Sequence, residues 1–401
     1  MSKLLEGIRV LDVTNVLAGP FCGYQFAQLG ADVIKIEQTG SGDLARQLGA
    51  DAALNRRGMG ASFLAQNAGK RSFAVNLKHS QGKELFRALA CSADVVLENL
   101  RPGVMERLEL DYPRLRRENP RLVYCAITGF GQDGPMRTNP AYDQIVQGLS
   151  GVMSITGDPD SAPLRVGFPI ADTIGGMTAA FAVAAALVRC ARTGEGEFID
   201  VSMMESTMAA MGWAISNLLI AGIPPSPMGN ENFTASPSGT FRTGDGLLNI
   251  AANKQEQFIA LCRIVGRPEL IDDIRFNDRE ERKCHRATLR VLLEEALATD
   301  SAAAWEARLN ADGIPAGRVL GVPEALDTEQ VRGRGFVRHF NAVPGVERDV
   351  DVVRSGFRLA TGDPGPATPP PVLGADTNAI LDELGVDQAV RSHLKSEGVI
   401  Q

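Results

Sequence analysis

The sequence predicts an α/β protein in which a large, doubly wound parallel-sheet domain carries a smaller α+β domain. Three observations predict it. Short apolar runs of strand type alternate with helical patterns as far as Ile127. The first strand, tight turn, helix and second strand make a βαβ unit, which requires a parallel sheet. A Pro- and Gly-dense stretch, Gly222–Gly229, then opens a region of different pattern that begins with a hairpin.

Taken in order, Ile8–Thr14 reads as the first strand. Gly19–Leu29 is helical and stops at Gly30, where a left-handed C′ residue is needed. Ala31–Glu37 is the second strand, and further strands follow at Ser72–Leu77, Asp94–Glu98 and Leu122–Ile127. The intervening helices are Gly82–Ala90 and Gly103–Leu108. Regular β/α alternation means helices on both faces of the sheet, with ligands at the carboxyl ends of the strands near a topological switch point.

Ala171–Arg192 is one long alanine-rich helix, stopped by Thr193-Gly-Glu-Gly196, before a strand at Phe198–Met203 and a helix at Ser206–Leu219. In the smaller domain, Gly239–Ala252 reads as a hairpin around Gly244-Asp-Gly246. Helices follow at Lys254–Gly266, Asp278–Thr299 and Ala302–Asn310. Arg354–Leu359, a Pro/Gly stretch at 362–371 and a helix at Asp376–Leu384 close the chain. The expected division is 1–224 for the large domain, 225–325 for the small one, and 326–401 for a return linker and the C-terminal part of the large domain.

A net charge of −7 over 401 residues, with both signs dispersed, argues against a general nucleic-acid binder, which carries a basic stripe. It leaves room for a local basic pocket. Cysteines 22, 91, 125, 190, 262 and 284 show no CxxC spacing and read as reduced thiols of a cytoplasmic protein. The N-terminus enters a strand at once, without a secretory pattern. Met177–Val188 and Met208–Ile223 are the most apolar stretches. The first is too short for a bilayer and the second is interrupted by Ser216 and Asn217, so both are expected as core helices, with no membrane partner.

Asp172 is the residue expected to carry chemistry. It follows Arg165-Val-Gly-Phe-Pro-Ile-Ala171 at the mouth of the long helix. Its ordinary reading is an N-cap accepting from the Ile174 or Gly175 N–H. That reading is compatible with a nucleophile, because a helix N-terminus favours the ionised carboxylate. Gly175 and Gly176 leave room for close approach to the backbone. The turn Thr14–Phe21 lacks a dinucleotide fingerprint, yet it opens a helix whose N–H groups suit an anion or a developing oxyanion. Lys70, Arg71, Lys78, Arg101 and Arg107 lie at or beside strand ends, as phosphate recognition requires, although solvated surface charge is the default for each. Asp143, after Tyr142, is a candidate second carboxylate. Histidines 79, 285, 339 and 393 fit no metal-ligand spacing.

These residues resemble the class III CoA-transferases, the carnitine/bile-acid CoA-transferase family that includes formyl-CoA:oxalate and related dicarboxylate CoA-transferases. The resemblance runs through Gly7–Asp12, Ala18–Pro20, Leu29–Glu37, Gly42-Asp43, Asn67–Lys78, Glu98–Gly103, Gly129–Pro135, Tyr142-Asp143, Gly167–Asp172, Thr193–Gly196, Gly313–Gly317 and Leu373–Thr377. It implies a Rossmann-like large domain in an interlocked homodimer. It implies a CoA thioester as substrate, no permanently bound cofactor, and a carboxylic acid as acceptor. Asp172 is implied as the nucleophile that forms first a mixed anhydride and then an aspartyl-CoA thioester, with Asp143 at an acidic position beside it. Val16, Leu17, Ala18, Lys78, Asn99 and Arg107 are implied as CoA contacts.

The chain departs from the family at Leu17 and Gln38, where some members carry Gln and Arg, and it lacks the glycine-rich lid of the oxalate enzyme. The nearest counterpart of that lid is Ala235-Ser-Pro-Ser-Gly239. Small dicarboxylates are the expected acceptors. The competing readings are an α-methylacyl-CoA racemase of the same fold and a non-catalytic CoA-binding protein. The racemases typically have a His-Asp pair where this chain has Tyr142-Asp143.

Overall fold

A computed structural model describes residues 3–401. The chain divides into two compact units. The large one comprises Met1–Val152, Arg165–Ile223 and Arg334–Gln401; the small one comprises Met153–Leu164 and Pro224–Gly333. The small unit thus runs past the expected boundary at 325 and takes in Met153–Leu164, a segment that the sequence pattern leaves in the large domain.

The large unit is built on β1 (Arg9–Asp12), β2 (Asp32–Glu37), β3 (Arg71–Ala74), β4 (Val95–Glu98), β5 (Val123–Thr128) and β6 (Glu197–Ser202). They form one sheet in the order β3-β2-β1-β4-β5-β6, with every pair parallel. This is the doubly wound order with its switch point between β1 and β4. The central strands β1, β4 and β5 are near-continuous apolar runs because both faces are covered, whereas the edge strand β6 exposes Glu197, Phe198 and Asp200. Leu11, Ile34, Val96 and Tyr124 join one core, and Val10, Val33, Val95 and Val123 join the other.

On the second face lie α1 (Ala18–Gln28) and the long helix Ile170–Thr193. Gly176 lets the two approach: a Cβ there would sit 2.4 Å from the Ala18 carbonyl oxygen. The neighbours that Gly175 and Gly176 admit are therefore Met203 and Ala18 of the protein itself. At 24 residues the long helix is long and apolar enough to cross a membrane, longer than the Met177–Val188 run alone indicates. Its Ala179, Ala180 and Val183 are buried in the sheet core. The last segment returns to the first face, where Ile380, Leu381 and Ile400 join Phe73 and Val75.

Two expected helices are broken. Ser206–Leu219 is two helices, Met203–Ala210 and Gly212–Ala221, and Asp278–Thr299 is interrupted at His285. Gly321–Val353, a stretch that includes the start of the expected return linker, holds two short helices and a hairpin of β10 (Val337–Val343) and β11 (Arg348–Val353). A bulge between Phe340 and Val343 breaks the alternation that would have announced it. The small unit has its own core around the antiparallel sheet β7 (Ser238–Arg242), β8 (Leu247–Ala251) and β9 (Ala316–Arg318), with Phe241, Phe258, Phe276 and Trp305 buried.

Candidate active site

The carboxyl ends of β1 and β4 meet where the strand order reverses. The turn from β1 into α1 is braced there by side chains from two other loops. Asn99, directly after β4, accepts the Asn15 N–H on Oδ1 at 2.7 Å and donates Nδ2 to the Asn15 carbonyl at 2.7 Å. The next residue, Val16, stands at φ 66°, a region a β-branched residue rarely enters. Its N–H donates to Asp43 Oδ1 at 2.9 Å.

Four fully buried charges adjoin this turn: Asp12, Lys35, Asp43 and Lys70. Lys70 Nζ donates to Asp12 Oδ2 at 2.7 Å and to the Pro20 carbonyl at 2.9 Å. Lys35 Nζ lies 3.0 Å from Asp43 Oδ2 and 3.7 Å from Asp12 Oδ1, and also donates to the Thr14 carbonyl. Burial pushes both carboxyls up, but Lys35 at each, Lys70 at Asp12, and the Val16 and Ala45 N–H groups at Asp43 outweigh it and hold both below the ordinary range.

Asp172 sits in the first turn of the long helix, which starts at Ile170 after Pro169. It is therefore not the N-cap, and its side chain makes no capping hydrogen bond. No hydrogen bond or ion pair to the Asp172 carboxylate occurs among the described residues. Burial, and then the charge of Asp143, push its carboxyl up to about 7. Desolvation and the like charge of Asp143 thus oppose the ionisation that a helix mouth favours.

Asp143 opens the helix Asp143–Leu149 and is buried. Its Oδ1 accepts the N–H of Ala171, the residue before Asp172, at 2.9 Å. Its Oδ2 accepts Gln147 Nε2 at 2.7 Å, with Arg165 at 3.4 Å. Gln147, one turn on, also accepts the Val166 N–H at 2.9 Å. These two side chains fix the segment that delivers Asp172. Nothing in the sequence marked Gln147 except its i+4 spacing from Asp143.

A cavity of about 350 Å³, within the usual range for small-molecule sites, opens at this edge of the sheet. Asp172, Val16, Leu17, Ala18 and Asn99 line it, together with Tyr142, Met203, Arg101 and Arg137. Lys78 and Arg107, also expected at the site, are exposed and stand outside this lining. Two other cations are already engaged. Lys70 is held by Asp12, and Arg71 pairs with Asp32 and Glu383 at 2.6 Å each. Neither guanidinium of Arg101 and Arg137 has an ion-pair partner among the described residues. Arg137 had no distinguishing sequence signal, because its place depends on how the loop after β5 folds back.

The comparisons agree with this architecture. The model of CoA-transferase family III matches residues 5–377. The chain is 36% identical to the succinyl-CoA:glutarate CoA-transferase of Mus musculus over 400 residues, covering 100% of this chain and 91% of that protein. It is 39% identical to the acetyl-CoA:oxalate CoA-transferase of Acetobacter aceti over 333 residues, 83% of this chain and 85% of that one. A crystal structure of a CaiB/BaiF family protein from Brucella suis superimposes with a TM-score of 0.82 at 33% identity, covering 96% of this chain and 100% of that one. With the doubly wound sheet, its switch-point cavity and matches over nearly the whole length, the chain belongs to CoA-transferase family III.

Proposed function

We propose that this enzyme moves CoA from an acyl-CoA thioester to a small dicarboxylate, with Asp172 as the covalent carrier. The observation that carries the reading is Asp172 itself: a carboxylate lining the cavity, without a protein partner, and flanked by Gln147 and Asp143 contacts that fix its backbone. An Asp172 oxygen attacks the thioester carbonyl carbon, the C–S bond breaks and CoA leaves as thiolate. The thiolate attacks the resulting anhydride at the Asp172 carbonyl, releasing the donor acid and leaving an aspartyl-CoA thioester. The acceptor carboxylate attacks that carbonyl, CoA leaves again, and its thiolate takes the acceptor acyl group from the second anhydride. Asp172 returns as carboxylate, and thioester energy is conserved as long as water is kept out.

The N–H groups opening α1 lack helical acceptors and suit the oxyanion of each tetrahedral intermediate. Arg101 and Arg137 are the cations in the lining, and an acceptor with two carboxylates has a distal charge for one of them. The named relatives act on glutarate and oxalate, which supports this acceptor class.

A homodimer belongs to the same reading. The helix Gly212–Ala221 has no buried residue, and Trp213, Leu219 and Ile220 are 75%, 78% and 86% exposed. An apolar helix left so open is the surface a second copy covers. A racemase would use Asp172 as a proton acceptor instead, for which a pKa near 7 is also suited. Deuterium exchange at the α-carbon of a 2-methylacyl-CoA, without an acceptor acid, separates the two: transfer predicts no exchange and racemisation predicts it. Succinyl-CoA and acetyl-CoA assayed against a panel of carboxylates test the transfer reading directly, and no CoA exchange with any dicarboxylate would reject it.

A further inference from the structure

Val16 is a residue of the cavity wall whose backbone stands at positive φ although it carries a side chain. A β-branched residue at φ 66° is held there by its surroundings, because the conformation is unfavourable on its own. What holds it is Asp43. One carboxylate oxygen takes the Val16 N–H at 2.9 Å and the Ala45 N–H at 2.8 Å, and the other lies 3.0 Å from Lys35 Nζ. Both partners of that pair are buried, and Lys35 also donates to the Thr14 carbonyl, two residues before Val16. The same ion pair therefore grips the turn at two points. Asp43 is not among the residues lining the cavity, although Leu44 beside it is. A buried ion pair is weak evidence for stability by itself, since desolvation offsets most of the attraction. Here the pair is spent on one backbone conformation, in the peptide that leads into α1 beside Asp172.

We propose that Asp43 is a positioning residue for CoA transfer: it holds Val16 in the left-handed conformation and so aims the Val16–Leu17 peptide, at the opening of α1, into the cavity that Asp172 lines. This assignment rests on the transfer reading above. The residue touches no substrate. Its effect is on how well the turn matches the reacting carbonyl, and it is therefore expected in kcat more than in the acyl-CoA KM.

The test is a double-mutant cycle on purified full-length enzyme, with kcat and acyl-CoA KM read for each variant. Asp43→Asn should lower kcat on the order of 30-fold and leave the acyl-CoA KM within about 3-fold. In a Val16→Gly background the same change should cost less than about 3-fold, because glycine enters positive φ without being held there. If Asp43→Asn does not fold, Val16→Pro carries the test, since it removes the N–H and forbids positive φ. It should lose kcat similarly at nearly unchanged KM. An Asp43→Asn enzyme that keeps its kcat and loses only thermal stability overturns the assignment. So does an equal loss in both backgrounds, or a Val16→Pro enzyme with wild-type kcat. An inactive wild type sinks the transfer reading, and this assignment with it, whereas an active wild type with an indifferent Asp43 sinks the assignment alone.

Discussion

Asp143 acts on Asp172 in two ways: its Oδ1 holds the N–H of Ala171 at 2.9 Å, and its charge adds to burial in raising the Asp172 carboxyl to about 7. The same side chain thus positions the candidate nucleophile and opposes its ionisation. This gives a pH signature. The kcat/KM for transfer should rise through about pH 7 and level above it, as the free carboxylate forms. Asp143→Asn keeps an oxygen for Ala171 and removes the charge, so the acid limb should move to lower pH. Burial, the larger cause, remains, and the limb should stay above the ordinary aspartate value. An acid limb unmoved by Asp143→Asn would contradict the pairing.

The same shift makes a stability prediction of opposite sign to that of a salt-bridged aspartate. The folded state holds the Asp172 proton more tightly than the unfolded chain, with a value of about 7 against 3.8. Its contribution is therefore fully present below the unfolded value and is lost as pH rises from there through 7. Asp172→Asn, which cannot ionise, should be more stable than wild type at pH 8 by on the order of 1–3 kcal/mol, discounted for the cavity's solvent. At pH 4 the difference should nearly vanish. Denaturant melts at the two pH values measure it.

Arg137 is expected to read the far carboxylate of the acceptor. Arg137→Ala should raise the acceptor KM by an amount equivalent to about 1.5–3 kcal/mol, with the acyl-CoA KM little changed. A monocarboxylic acceptor of similar size should show no such penalty. Equal losses for both acids, or none for either, would remove Arg137 from acceptor recognition.

Gly176 has no room for a methyl group, because a Cβ would meet the Ala18 carbonyl oxygen at 2.4 Å. Gly176→Ala should therefore push α1 from the long helix and destabilise the protein by about 1–3 kcal/mol. Ala18 and Asp172 line the same cavity, so kcat should fall as well. Thermal melts and kinetics on the one variant check both.

Much of the fold was legible because the central strands are buried on both faces and read as near-continuous apolar runs between helical patterns. That Asp172 stands at the mouth of a long helix was legible. The upward push on its carboxyl was not, since desolvation and the approach of Asp143 are tertiary facts. Nothing in the sequence marked Lys35 and Lys70 as buried ion-pair partners of Asp43 and Asp12, which only folding brings together. The convergence of cations was equally hidden: Lys70 and Arg71 share the strand-end position of a phosphate ligand, yet neighbouring carboxylates claim both. The β10–β11 hairpin escaped notice because its bulge disrupts the period-two pattern.

The central claim is that Asp172 carries the acyl and CoA groups covalently, and one measurement addresses it most directly. Enzyme incubated with acyl-CoA in the absence of acceptor, quenched and digested, should yield a CoA-sized adduct on the peptide containing Asp172, and hydroxylamine should discharge it. Asp172→Asn should give no adduct and lose transfer by at least about 10³-fold, as expected for a missing nucleophile. An adduct on another residue, or near-normal turnover by Asp172→Asn, would contradict the account.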